Sequence, residues 1–135
     1  MSLPGYGPPM QTLVRSGLVE LALGALFGWA IVARLERPEL LTRLGIKSPR
    51  RLMQAHLDYV MMGLIAIAVG LALPDLAGWA KALLLVGTWV NPSLFLPLAF
   101  SDDVQRNLAY RVVTVTSFLA MSTALVAAAV TGLTA

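Results

Sequence analysis

A chain of 135 residues holds one domain and no more. It is 58% hydrophobic and 13% charged with no cysteine, where an ordinary globular domain is about 45–50% apolar and about 25% charged; this excludes a water-soluble fold, a disordered chain, a disulfide scaffold and any thiolate metal site. The formal charge of +3 does not point to nucleic acid, because eight of the ten Lys and Arg residues lie in two short stretches between apolar runs.

In chain order, the tail 1–11 carries Pro4, Gly5, Gly7, Pro8 and Pro9 and is expected to be irregular. It has no basic n-region, and no cleavage site follows, so it does not read as a signal peptide. Four apolar segments then follow, at about 13–33, 52–73, 78–100 and 108–133. A helix needs about 20 residues to cross a hydrocarbon core of about 30 Å, whereas membrane strands would show alternating polarity over about 10 residues. The expectation is an all-α, integral membrane four-helix bundle, one membrane domain over 1–135. Arg37-Pro38 and Ser48-Pro49 bracket the first loop, Pro74-Asp75 ends the second span, and Ser101-Asp102-Asp103 reads as an N-cap cluster after the third. Arg34, Arg37, Arg43, Lys47, Arg50 and Arg51 in the loop 34–51, with Arg106 and Arg111 before the fourth span, face only Arg15 and Lys81 on the other side. That bias predicts a multi-pass protein of the cell inner membrane with both termini outside and the first loop in the cytoplasm.

Polar residues inside the spans are costly and invite a reason. In the first span, Glu20 shares a stripe with Ser16, Gly24 and Gly28; Gly24-xxx-Gly28 signals close packing, and Glu20 reads as an interhelical hydrogen-bonder. In the second, His56 is the only histidine, with Tyr59, Val60, Gly63 and Ile67 on its face. It is either an interfacial histidine bonded to a neighbour or an axial haem ligand, since haem needs one imidazole where zinc or copper needs three or four ligands. Asp58 falls about 200° round the helix from His56, with pairing to Arg51 or Arg111 as its expected role. Met53, Met61, Met62 and Met121 read as packing residues. In the third span, Asn91 lies at a depth comparable with His56. Pro92 and Pro97 free carbonyls near Thr88 and Ser93, so Asn91 either bonds loosened backbone or faces a pocket shared with His56. Phe95 is one turn further on the Asn91 face.

Ser48-Pro49, Ala55-His56, Gly63, Ala68-Val69, Leu73-Pro74 and Trp89-x-Asn91, in that order and spacing, resemble the small membrane-bound haem isomerases that group styrene oxide isomerase with hydroxylaminobenzene mutase. The resemblance covers about 48–100; the first and fourth spans match only in character. It implies a homotrimer with ferric haem b between neighbouring subunits, His56 as the axial iron ligand, and Tyr59 and Gly63 on the cofactor's side. Asn91 would be catalytic, with Asn91, Phe95 and Met62 lining the pocket for a small aromatic substrate. The chain departs from the epoxide enzyme in carrying Phe95 for a tyrosine and Met62 for an asparagine, and in lacking a longer third connection and a charged C-terminal extension. Those changes favour the mutase branch: an isomerase moving a hydroxyl from the nitrogen of an aryl hydroxylamine to the ring, giving a 2-aminophenol. The alternatives are a styrene-oxide-type epoxide isomerase and, in another class, a non-catalytic haem or scaffold subunit of a membrane complex.

Overall fold

Apolar runs of this length fold as helices because a helix satisfies its backbone polar groups within the segment, as a bilayer requires. The computed structural model describes residues 8–135, and they form α1 (Pro8–Glu36), α2 (Pro38–Arg43), α3 (Pro49–Ala72), α4 (Gly78–Ser93), α5 (Phe95–Phe100), a 3-10 turn (Asp102–Arg106) and α6 (Leu108–Thr134). Four segments are long and apolar enough to span a membrane: 12–36, 49–72, 78–100 and 108–134. At 1.5 Å per residue even the 23-residue third segment extends to about 34 Å. The protein is a four-helix membrane bundle.

Burial is inverted relative to a water-soluble fold. Glu20, Lys81, Thr88, Asn91 and Ser117 are buried, while Leu26, Trp29, Phe118, Leu119 and Val126 are each more than half exposed. Helix α1 packs along α3, α4 packs along α6, and the two pairs meet chiefly where α3 lies against α4 and α5.

Three boundaries differ from the sequence expectation. Residues 1–7 of the predicted irregular tail lie outside the described residues, but α1 already begins at Pro8. Proline suits a helix's first turn, because the N–H it lacks has no intrahelical partner there. The basic loop 34–51 also contains a helix. Pro38 starts α2, and Gly45, at φ 82°, stops it in the left-handed conformation that favours glycine. The Ile46 amide donates to the Leu41 carbonyl and the Gly45 amide to the Thr42 carbonyl, at 3.0 and 3.1 Å. Ile46 and Leu41 pack with Leu52 and Ala99, and the amides of Lys47 and Ser48 both donate to the Ala99 carbonyl, so the loop is folded back onto α5.

The third span is broken at Leu94. Pro92 and Pro97 remove two helical donors in succession, and the chain resumes as α5. The N-cap cluster at Ser101 caps the 3-10 turn, its hydroxyl accepting from the Asp103 amide. The cap of α6 is instead Asn107, whose side-chain oxygen accepts from the amides of Ala109 and Tyr110.

Candidate functional site

Glycines bring α1 and α3 into near backbone contact. A Cβ on Gly63 would sit 2.7 Å from the Gly17 carbonyl oxygen and 3.1 Å from the Leu21 amide nitrogen. The flat approach expected over Gly63 is therefore taken, within the subunit, by α1. Two turns along the same seam, Gly24 lies against Val60 and the His56 backbone, and Gly28 leaves room for the His56 imidazole. A Cβ on Gly28 would meet its Cε1 at 3.3 Å. His56 Nδ1–H donates to the Gly24 carbonyl at 2.6 Å, so that in the neutral imidazole the lone pair is on Nε2, which makes no hydrogen bond among the described residues. A carbonyl on one ring nitrogen is the usual support for a histidine that ligates through the other. The imidazole is half-buried.

Tyr59 is turned from that seam into the bundle. Its ring stacks on Phe27 at 5.5 Å between centroids and lies edge-on to Trp89. Its hydroxyl bonds the Ser93 hydroxyl at 2.6 Å, and Ser93 donates onward to the Trp89 carbonyl. Trp89 in turn donates through Nε1 to the Ser16 hydroxyl at 2.6 Å. Tyr59 thus bolts α3 to α4 and α1.

On the other side of α3, a cavity of ≈ 270 Å³ opens between α3, α4, α5 and α6. Met62, Asn91 and Phe95, the three predicted pocket residues, all line it, together with Asp58, Leu94, Tyr110, Thr114 and Phe118. Helical spacing explains the company: Asp58 and Met62 are one turn apart on α3, as Asn91 and Phe95 are in the third span. The volume is just below the about 300–1,000 Å³ of sites for drug-sized ligands, which suits a molecule of one ring. A wider groove of ≈ 540 Å³ beside Trp79, Val126 and Val130 has no ionisable side chain in its wall.

The cavity's polar groups are partly committed. The Asn91 side-chain oxygen accepts from the Ser117 hydroxyl of α6. Its amide nitrogen is left without a partner among the described residues. Tyr110 donates to the Leu94 carbonyl at 2.7 Å, at the break in the third span. Thr114 donates to the Tyr110 carbonyl at 2.8 Å. Asp58 makes neither a hydrogen bond nor an ion pair among the described residues. The expected pairing with arginine does not form, because Arg51 donates to Gln54 at 3.0 Å and Arg111 is exposed.

Within one chain, then, the structure joins Asn91, Phe95 and Met62 and leaves His56, Tyr59 and Gly63 on other faces of α3. Glu20 lies outside both sites. It is fully buried, with Ser16 donating to one oxygen at 3.5 Å and the other oxygen unpartnered. Sequence reasoning gave Asp58 an ion pair and did not mark Tyr110, Thr114 or Phe118. The four-residue spacing from Asp58 to Met62 was the available signal. Comparison with known proteins finds no matching family, no matching curated protein and no matching solved structure.

Proposed function

We propose that the protein is a haem-dependent membrane isomerase of the hydroxylaminobenzene mutase type, converting an aryl hydroxylamine to a 2-aminophenol. The observation that carries this is the His56 imidazole, held through Nδ1 by the Gly24 carbonyl with Nε2 free. Such a donor set fits a group that needs one axial nitrogen, and no cluster of three or more potential metal-ligating side chains occurs among the described residues. When bound, ferric haem supplies a Lewis-acidic iron that polarises an N–O or C–O bond.

The chain's own residues supply the rest. Phe95, Met62, Leu94 and Phe118 hold an aromatic ring in a small, mostly apolar space and keep water from it. Asn91, its oxygen taken by Ser117, presents an amide N–H to a substrate oxygen. An aryl substrate partitions into the bilayer, and the cavity wall is within the spans. Because the imidazole and the cavity lie on different sides of α3, the reading requires a symmetric assembly in which neighbouring subunits complete each other, a homotrimer by the resemblance. In the inner membrane, with both termini outside, the cavity and His56 would lie in the cytoplasmic half.

The test is an absorption spectrum of the purified protein, followed by parallel assays with phenylhydroxylamine and an aryl epoxide. A Soret band lost together with turnover in His56→Ala supports the reading. Turnover of the epoxide alone would select the epoxide isomerase, and haem without either turnover would select the non-catalytic subunit. Full haem occupancy in His56→Ala would overturn the ligand assignment.

A further inference from the structure

We infer that Asp58 is the proton carrier of the cavity, moving one proton from the substrate's ring carbon to its nitrogen. This rests on the mutase reading and assigns the step that it leaves without a residue. In the conversion the N–O bond breaks and a C–O bond forms at the adjacent ring carbon. The hydrogen on that carbon leaves as a proton, and the nitrogen gains one. No electron is gained or lost, so the only shuttle needed is for a proton between two neighbouring atoms. One carboxylate beside the ring reaches both.

Asp58 is the group in the wall suited to this. It is half-buried, lines the same cavity as Asn91 and Phe95, and makes no hydrogen bond or ion pair among the described residues. The other titratable group in the wall, Tyr110, has its hydroxyl proton committed to the Leu94 carbonyl. Arg51 is turned to Gln54, His56 is turned to Gly24, and Glu20 sits against Ser16 and outside the cavity wall. An unpaired carboxylate within a membrane span is kept at a cost that a structural role does not explain. In this fold it lines a space of single-ring size whose wall also holds the Asn91 amide. Asn91 therefore holds the oxygen, and Asp58 serves the carbon and nitrogen.

The test uses the haem-loaded protein in detergent, phenylhydroxylamine, and its 2,6-dideuterated form. Asp58→Ala should lower kcat by about 10²–10⁴-fold, the usual range for a positioned acid–base group. It should still bind aniline, measured by calorimetry, within a few-fold of the wild type. Sodium formate should restore part of the rate, and Asp58→Asn should enlarge the isotope effect, because loss of the ring proton becomes slower. A purely structural role predicts neither change. Wild-type kcat in Asp58→Ala, or a rate lost without rescue by formate, would overturn the inference while leaving the mutase reading intact. A haem-loaded wild-type protein that does not turn over phenylhydroxylamine would overturn both.

Discussion

Gly63→Ala tests whether the close approach of α1 and α3 is what holds His56 in place. The new Cβ would meet backbone atoms, the Gly17 oxygen at 2.7 Å and the Leu21 nitrogen at 3.1 Å, and the Leu21 Cγ at 3.1 Å. Neither backbone atom can rotate away, so the helices must part by several tenths of an ångström. Overpacking of this kind costs about 1–3 kcal/mol, and an unyielding backbone places it near the upper end. Alanine returns about 1 kcal/mol through its better helix propensity. The expected net loss is about 2 kcal/mol, roughly a 30-fold change in the folding equilibrium. The same separation lengthens the His56–Gly24 bond from 2.6 Å toward the limit for a hydrogen bond. Denaturant unfolding in detergent, read by tryptophan fluorescence, measures the first effect, and haem retention per subunit measures the second. Gly78→Ala is the control, since nothing lies within 4 Å of its added Cβ, and its stability should stay within about 0.5 kcal/mol. Wild-type stability in Gly63→Ala would refute the packing argument. Lost stability with undiminished haem would break the link from the seam to His56.

Asn91→Ala should cut turnover while leaving the Soret band and the oligomer intact; normal specific activity in the folded fraction would reduce Asn91 to a partner of Ser117. Ser117→Ala should destabilise by about 1–3 kcal/mol in the same unfolding assay, because it orphans a buried amide oxygen. Phe95→Tyr places a hydroxyl in the cavity wall and should raise the ratio of epoxide to hydroxylamine turnover, with an unchanged ratio counting against Phe95 as a specificity residue. Glu20→Leu removes a buried carboxyl that already lacks one partner, so stability should stay within about 1 kcal/mol; a loss above about 3 kcal/mol would show that Glu20 is held by more than its Ser16 and Thr88 contacts.

The spans were legible because their signal is the length of an apolar run, which a bilayer thickness fixes independently of tertiary contacts. Phe95 beside Asn91 follows from helical spacing, whereas Met62 in the same wall was implied only by the resemblance, its position in the sequence reading as packing. What was not legible depended on which face meets which helix. His56 and Asn91 share a depth, yet one points to α1 and the other to α6. Asp58 reads as pairing with Arg51 or Arg111, but it lines the cavity between α3 and α6 and pairs with neither. The stop at Leu94 followed from Pro92 and Pro97 in principle, although the use of the exposed carbonyl by Tyr110 did not. Helix α2 carried its own signals in Pro38 and Gly45, but the basic residues around them read as loop.

The break in the third span bears on the order in which the chain assembles. A continuous apolar helix enters lipid with its polar groups satisfied, whereas this one arrives with the Asn91 side-chain oxygen waiting for a donor and the Leu94 carbonyl, at the N-cap of α5, able to accept a second. Both donors, Tyr110 and Ser117, are on α6, which follows it in synthesis. Left alone in hydrocarbon, the unpartnered Asn91 oxygen is penalised by several kcal/mol. The third and fourth spans therefore gain by leaving the translocation machinery as one hairpin. The cavity then has its walls only once that hairpin is docked on α3.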